Sequence, residues 1–260
     1  MKPRPTADPD SIRSVVSELR NVNSVLVITG AGLSADSGLP TYRGIGGLYD
    51  DESTEEGMSI EKALSGSTFQ TTPEITWKYL GQIEHSCREA QFNRGHQVLA
   101  LMEQHFERFW ILTQNIDGFH TAAGSKNVIE IHGNLYQLAC TACDFKTAVD
   151  DYANLAIPPL CHACGCMLRP QVVLFDEQLP ESALNTLYME MRNSFEAVIT
   201  IGTSSYFPYI VQPVRMAQQT GRFTVEINPD QTPVSKLVDE KLSAPAAATL
   251  DEIWRQLNRS

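Results

Sequence analysis

The sequence predicts an α/β protein, a doubly wound Rossmann-like parallel sheet that carries a smaller module of helices and a cysteine-bearing ribbon. Three observations lead there. Short apolar runs rich in β-branched residues alternate with segments of helical length, a glycine-rich turn follows the first run, and two C-x-x-C pairs interrupt the alternation.

The apolar runs are SVLVIT (24–29), RFWILT (108–113), NVIEI (127–131), EAVITI (196–201) and RFTVEI (222–227). Residues 94–106, 181–194 and 209–219 have the length and pattern of helices between them, which is the order expected when helices cover a parallel sheet. The Ala-rich stretch 245–250 opens a last helix that ends near Leu257. Residues 44–92 begin as an acidic loop with Asp50, Asp51, Glu52, Glu55 and Glu56, then carry helical pieces at 60–64 and 73–90. Residues 135–170 hold the four paired cysteines. We therefore expect a large domain from 1–43, 93–134 and 171–260, with 44–92 and 135–170 as two insertions forming one small domain over an end of the sheet.

At 260 residues the chain is long enough to bury a core without disulfide staples, and 42% hydrophobic with 20% charged residues is the composition of a globular protein. The net charge of −11, from 31 acidic and 20 basic residues without a basic cluster, argues against nucleic-acid binding and is compatible with basic partners such as lysine-rich segments. The amino-terminal MKPRPTADPD has no apolar region behind it, and no run reaches the 18 or so apolar residues that cross a bilayer, so the expected location is the cytoplasm, away from membranes. In a reducing compartment, paired cysteines read as metal ligands.

The segments that follow the five runs carry the chemistry. They are Gly30-Ala31-Gly32, Gln114-Asn115-Ile116-Asp117, His132-Gly133, Gly202-Thr203-Ser204 and Asn228-Pro229. In an open α/β sheet these strand ends converge on one crevice. Turn chemistry alone accounts for Gly133 and Pro229, but not for His132 together with the Gln-Asn-x-Asp cluster. Residues 30–35 match G-x-G-x-x-[G/A], a turn whose small residues admit a pyrophosphate at a helix amino terminus. The carboxylate that usually follows about 20 residues on would be near Asp50, where no strand ends, so the standard ribose contact is not expected there. In the run 127–131, Glu130 and His132 fall on the face opposite Ile129 and Ile131, which frees His132 to act as a general base. His85, His96, His105, His120 and His162 read as structural.

Cys140-x2-Cys143-x17-Cys161-x2-Cys164 has the two tight pairs of a zinc ribbon. Four thiolates fill a tetrahedron and leave no open position, so the expected metal is one structural zinc, with Cys166 and His162 as nearby substitutes for the fourth ligand. Cys87 has no pattern and reads as core.

Taken in order, GAGLSADSGLPTYRG, TQNIDGFHTAAG, IEIHGN, the four cysteines, LRPQVVLFDE, IGTS and VEINP resemble the sirtuin family of NAD-dependent protein-lysine deacylases, from about residue 24 to 250, and the compact length is similar to bacterial members. The resemblance implies that NAD and an acyl-lysine protein or peptide meet between the two domains. It further implies transfer of the acyl group to ADP-ribose with release of nicotinamide. Gly30, Ala31 and Gly32 would line the pyrophosphate, and Ser204 and Asn228 would hold phosphate and adenosine ribose. Arg43, Gln114, Asn115 and Asp117 would surround the nicotinamide ribose and carboxamide, while Ser34, Tyr42, Gly202 and Thr203 complete the implied NAD contacts. His132 would take a proton from a ribose hydroxyl, with Asn115, Asp117 and Arg43 as its catalytic neighbours. Residues 172–177 resemble the strand that pairs with the peptide backbone, Val173 and Phe175 flanking the acyl-lysine.

Three departures stand out. Thr41-Tyr42-Arg43 replaces the family's Asp-Phe-Arg, and Phe175-Asp176-Glu177 replaces Phe-Gly-Glu, placing Asp where a residue free to adopt positive φ is usual. The Tyr-x-x-Arg pair of members that remove acidic acyl groups is here Tyr79 with Gln82, so the expected substrate carries an acetyl or another uncharged acyl group. The alternative activity in the same pocket is mono-ADP-ribosyl transfer or NAD glycohydrolysis.

Overall fold

A computed structural model of the chain describes residues 6–41 and 54–259. The first half runs through α1 (Pro9–Leu19), β1 (Ser24–Thr29), the single turn α2 (Ala31–Ser34), α3 (Ile60–Ala63), α4 (Gly66–Thr71), α5 (Pro73–Glu89) and α6 (Arg94–His105). It continues with β2 (Arg108–Thr113), α7 (Phe119–Ala122), β3 (Val128–Glu130), β4 (Gly133–Cys140), β5 (Lys146–Ala148) and β6 (Leu168–Val172). The remainder is α8 (Glu181–Arg192), β7 (Ala197–Ile201), α9 (Pro208–Gln219), β8 (Phe223–Ile227), β9 (Glu240–Leu242) and α10 (Ala246–Leu257).

Six strands form a sheet in the order β3-β2-β1-β7-β8-β9, parallel throughout. The chain leaves β1 toward β2 and β3 on one side and later builds β7, β8 and β9 on the other, so the switch in strand order lies between β1 and β7. The register keeps the strand ends level: Thr29 is opposite both Thr113 and Ile201, and Ile201 is opposite Ile227. A ligand crevice in this architecture opens beyond those ends at the switch point.

Alternation along β1 explains why helices cover both faces. Val25 and Val27 enter a core with Ile12, Val16 and Leu19 of α1, Leu99 and Met102 of α6, and Ile253 of α10. Leu26 and Ile28 enter the opposite core with Leu187 of α8 and Ile210 and Val214 of α9. A third core joins the two expected insertions: Trp77 and Leu80 of α5 pack with Leu135 and Leu138 of β4 and Leu168 of β6. There β4 pairs antiparallel with β5 and β6 in a three-stranded sheet.

Elements outside the sequence expectation include α1 and β9. In α1, Ile12, Val15, Val16 and Leu19 form a buried stripe at helical spacing, with Asp8 accepting from the Ser11 amide as the amino-terminal cap. The three-residue edge strand β9 reads Glu-Lys-Leu, and its place comes from pairing with β8 rather than from an apolar pattern. Among the described residues, no helix is long and apolar enough to cross a membrane.

Candidate active site

At the switch point the loops after β1 and β7 meet backbone to backbone. The Gly30 amide donates to the Ile201 carbonyl at 3.0 Å and the Gly32 amide to the Gly202 carbonyl at 2.8 Å. A Cβ on Gly32 would stand 2.6 Å from the Gly202 Cα, and one on Gly202, whose φ is +57°, would stand 2.5 Å from the Gly32 carbonyl carbon. These glycines are required by the mutual approach of two loops; the Gly30 and Gly32 amides are committed to it, and the Gly202 amide donates to the Ile227 carbonyl of β8 at 3.0 Å. The glycine motif opens onto one helical turn, α2, followed by the 3-10 turn Ala35–Ser37, rather than onto a long helix.

The segment after β2 locks onto this turn. Asn115 Nδ2 donates to the Gly30 carbonyl and to Ser34 Oγ, both at 3.1 Å, and Ser34 Oγ donates to Asp117 Oδ2 at 2.7 Å. The other Asp117 oxygen accepts the Phe119 amide at 3.0 Å, starting α7. Burial pushes the Asp117 carboxyl up, and the Phe119 and Ser34 donors oppose that shift. Gln114 Nε2 donates to Thr203 Oγ1 at 2.7 Å, and Asn228 Nδ2 to the Thr203 carbonyl at 2.9 Å, so the ends of β2, β7 and β8 are tied together. Lys241 of β9 donates to the carbonyls of Asn228 and Asp230. Ser204 is exposed beside them. An open cleft of about 450 Å³, solvent included, lies against Ala31, Ser34, Asn115 and Asp117, with Ile83 and Cys87 of α5 opposite.

His132 stands in the turn between β3 and β4. Its Nδ1 is 3.0 Å from the Gln114 carbonyl and its Nε2 is 2.7 Å from the Tyr209 hydroxyl at the start of α9. Burial lowers the imidazole below its usual value, against the opposing pull of the Gln114 carbonyl. The other imidazoles have local duties. His96 is buried and completes the cap of α6 with Asn93, and His120 Nε2 is 2.9 Å from Thr29 Oγ1 beneath the strand ends. Cys87 is buried in the third core, its thiol pushed up to about 12 by desolvation.

Beyond β6 the chain does not continue as an unbroken strand through residue 177. The Val173 amide donates to the His132 carbonyl at 2.9 Å, and Phe175 makes a lone parallel bridge with Ser65. Asp176 then turns with φ +66°, which ends extended pairing. Its carboxylate accepts from the Gly66 amide at 2.9 Å, at the first turn of α4. Glu177 is held by both terminal nitrogens of Arg169 at 2.8 and 2.9 Å. Phe175 is 38% exposed.

The four paired cysteines come together: one sulfur from each of Cys140, Cys143, Cys161 and Cys164 lies within 4.8 Å of every other. The Cys140–Cys164 and Cys143–Cys161 sulfur separations are 3.4 and 3.8 Å. A tetrahedron with metal–sulfur arms of about 2.3 Å has edges of about 3.8 Å, so the set fits zinc closed by four thiolates. The Ala142 amide donates to the Cys140 sulfur at 3.4 Å and lowers that thiol, while at Cys143 the pull of the Phe145 amide is outweighed by the Cys140 and Cys164 sulfurs, which raise it. Cys166 and His162 fall outside the cluster; His162 packs edge-on against Phe145 at 4.2 Å.

Comparison with known proteins agrees with this geometry. The family model described as the Sir2 family matches residues 30–208. The chain belongs to the Sir2 family. It is 47% identical to NAD-dependent protein deacylase 2 of Pseudomonas aeruginosa, over 95% of this chain and 98% of that protein. It is 36% identical to the NAD-dependent protein deacylase of Aquifex aeolicus, over 92% and 97% of the two chains. A crystal structure of a Sir2 homologue in complex with NAD superposes with a TM-score of 0.86, 32% identity and coverage of 97% and 95%.

Within this Sir2 chain, Tyr42 and Arg43, together with Asp50, Asp51 and Glu52, lie outside the described residues. The Tyr79 hydroxyl is bound by Glu56, and Gln82 is exposed, so neither presents a cation to an acidic acyl group. Lys78 bonds Glu56 and, with Tyr79, holds that carboxyl down to about 2, leaving it anionic. The residue that sequence reasoning missed is Tyr209. It opens a run read as an ordinary helix, and no pattern in the sequence links it to a histidine 77 positions earlier.

Proposed function

We propose that this Sir2-family enzyme, an NAD-dependent protein deacylase, removes acetyl or other uncharged acyl groups from lysine, with His132 as the general base. The observation that carries the reading is the convergence at one switch point of His132, the Ser34–Asn115–Asp117 network and the Gln114–Thr203–Asn228 ties. NAD, when bound, supplies an electrophilic ribose carbon and nicotinamide as leaving group. Asn115 and Asp117, with Arg43, orient the nicotinamide ribose. Ser34, Tyr42 and Gln114 complete the same end of the pocket, Gly30, Ala31 and Gly32 line the pyrophosphate, and Gly202, Thr203, Ser204 and Asn228 hold the phosphate and adenosine end. Displacement of water by bound NAD and acyl-lysine would protect the acceptor carbon until the acyl oxygen reaches it. His132, neutral with a lone pair on one nitrogen, takes the proton of the ribose hydroxyl that captures the acyl group.

In this reading Val173 and Phe175 flank the acyl-lysine, and the protein or peptide backbone lies along residues 173–175. The four cysteines hold a structural zinc that fixes the ribbon and takes no part in the reaction. Residues 1–43, 93–134 and 171–260 act as the NAD-binding domain, with 44–92 and 135–170 as the small domain, in a cytoplasmic enzyme with no nucleic-acid or membrane partner. The relatives support deacylation and not ADP-ribosyl transfer. The Glu56 carboxylate bound to Tyr79 favours uncharged over acidic acyl groups.

The test is incubation with NAD and matched acetyl-, succinyl- and myristoyl-lysine peptides, read by mass spectrometry. We expect free lysine peptide and O-acetyl-ADP-ribose in equal amounts. Faster turnover of the succinyl peptide would overturn the uncharged preference, and NAD consumption without deacylated peptide would overturn the deacetylase reading.

A further inference from the structure

Both ring nitrogens of His132 are engaged, and their partners settle which one carries the proton. A carbonyl oxygen only accepts, so the 3.0 Å contact to the Gln114 carbonyl assigns the hydrogen to Nδ1. In the neutral ring Nε2 then bears the lone pair. Its partner at 2.7 Å is the Tyr209 hydroxyl. Burial pushes that phenol up to about 12, so it keeps its proton at working pH and donates to Nε2. Tyr209 is held in place. It lies in the first turn of α9, its ring stacks on Phe207 with centroids 5.3 Å apart, and both rings meet the imidazole edge-on at 5.9 to 6.0 Å.

We propose that Tyr209 is a positioning residue for the deacylation reaction: its hydroxyl donates to Nε2 of His132 and holds the imidazole neutral, in one tautomer and one ring orientation. The inference rests on the reading of His132 as the base. A donor on the lone pair stabilises the neutral imidazole against protonation. The base therefore stays available further into acid than the Gln114 contact alone would allow. Because Nε2 has one lone pair, the ribose hydroxyl takes the place of the phenol when the proton is transferred, and meets a nitrogen already in its accepting state.

Several titratable groups are carried by the elements packed on His132. Asp117 follows β2, Glu130 lies on β3 with its carboxylate held by Asn134 at 2.7 Å, and Tyr209 lies on α9. The segment after β6, joined through the Val173 amide, brings Asp176 and the Arg169-bound Glu177. The imidazole is lowered by burial and raised by the Gln114 carbonyl, and the side chain hydrogen-bonded to the ring is the Tyr209 phenol.

The test compares the full-length, zinc-loaded wild type with Tyr209→Phe, which keeps the ring and its stacking. The His132 resonance is assigned by its loss in His132→Ala and titrated by NMR without NAD. Loss of one neutral-state hydrogen bond should raise the His132 midpoint in Y209F by about half to one pH unit. The acid limb of the kcat/KM profile for an acetyl-lysine peptide should move by the same amount, with plateau kcat within about threefold of wild type. An unmoved midpoint overturns the proposal. A plateau loss of about a hundredfold or more overturns it in favour of a proton relay through the phenol. If H132A keeps deacylating, the base assignment fails instead, an outcome read independently of the Y209F titration.

Discussion

The strand-end site and the small module beside it are built on opposite principles. At the switch point, backbone fills the space: Gly30, Gly32 and Gly202 touch without side chains, and Asn115, Asp117 and Ser34 are buried and bonded to one another. The small module packs around its own core of Trp77, Leu80, Leu135, Leu138 and Leu168, and its rim is tied by side chains: two intermediate cysteines and one exposed cysteine in the cluster, and the half-buried Arg169 bound to Glu177, next to the exposed Asp176, in the segment that follows. Of the departures from the family pattern within the described residues, Asp176 and the Tyr79–Gln82 pair fall in or against the module, while Thr41 lies in the large domain, after the glycine turn. A site of interlocked backbone has few ways to change and keep its chemistry, whereas a surface held by side chains can exchange them.

That contrast breaks most sharply at Gly202. Gly202→Ala drives a Cβ to 2.5 Å from the Gly32 carbonyl carbon at φ +57°. Overpacking and backbone strain together should cost about 3 kcal/mol or more, with NAD binding lost. Thermal denaturation and NAD titration measure this, and a wild-type Tm with intact binding would show that the loops have slack. The module should fail differently. Chelation of zinc, or Cys161→Ser, removes the tie that closes the ribbon, so we expect deacylation to be lost while the parallel sheet remains folded by circular dichroism. Collapse of the whole chain on chelation would mean that the two regions are not energetically separate.

The same division governs what could be read from the sequence. Parallel strands buried on both faces announce themselves as apolar runs, and all five runs became strands of the main sheet. The cysteine spacing identified the cluster because tight pairs fix two edges of a tetrahedron locally. The edge strand β9 could not be read, since Glu240 and Lys241 carry no apolar pattern and the strand exists only through β8. In α1 the stripe of Ile12, Val15, Val16 and Leu19 was present, but overshadowed by the charged, proline-rich residues before it. Tyr209 was illegible for a deeper reason. Its hydrogen bond to His132 depends on how the start of α9 docks beside the β3–β4 turn, a tertiary fact with no local signature.

Asp176 sharpens the comparison at smaller magnitude. Its backbone sits at φ +66°, where glycine would be relaxed, yet its carboxylate satisfies the Gly66 amide at 2.9 Å. Asp176→Gly trades a capping interaction of about 1 kcal/mol for relief of strain of similar size, so stability should change little. Asp176→Ala loses the cap and keeps the strain, and should cost about 1–2 kcal/mol by denaturant unfolding. Wild-type stability in Asp176→Ala would mean that the carboxylate contributes nothing to the α4 turn, and equal stability of the two variants would mean that the positive φ carries no strain.

The mildest effect belongs to pH. Burial raises the Glu177 carboxyl, but the bidentate Arg169 and the Leu174 amide outweigh it and hold it below its ordinary value. A carboxyl depressed in the folded state adds stability that is fully present above the unfolded value, about 4.5, and fades as pH falls through the folded one. Acidification below about 4.5 should therefore loosen the segment from Val173 to Glu177. Because the pair is about a quarter exposed, solvent screening limits its worth to about 1 kcal/mol. Glu177→Gln should remove that part of the acid sensitivity, seen as a shallower fall of Tm between pH 5 and 3 by about a few degrees at most. A wild-type slope in the variant would place the acid-sensitive interaction elsewhere and leave Asp176 as the contact that orders this segment.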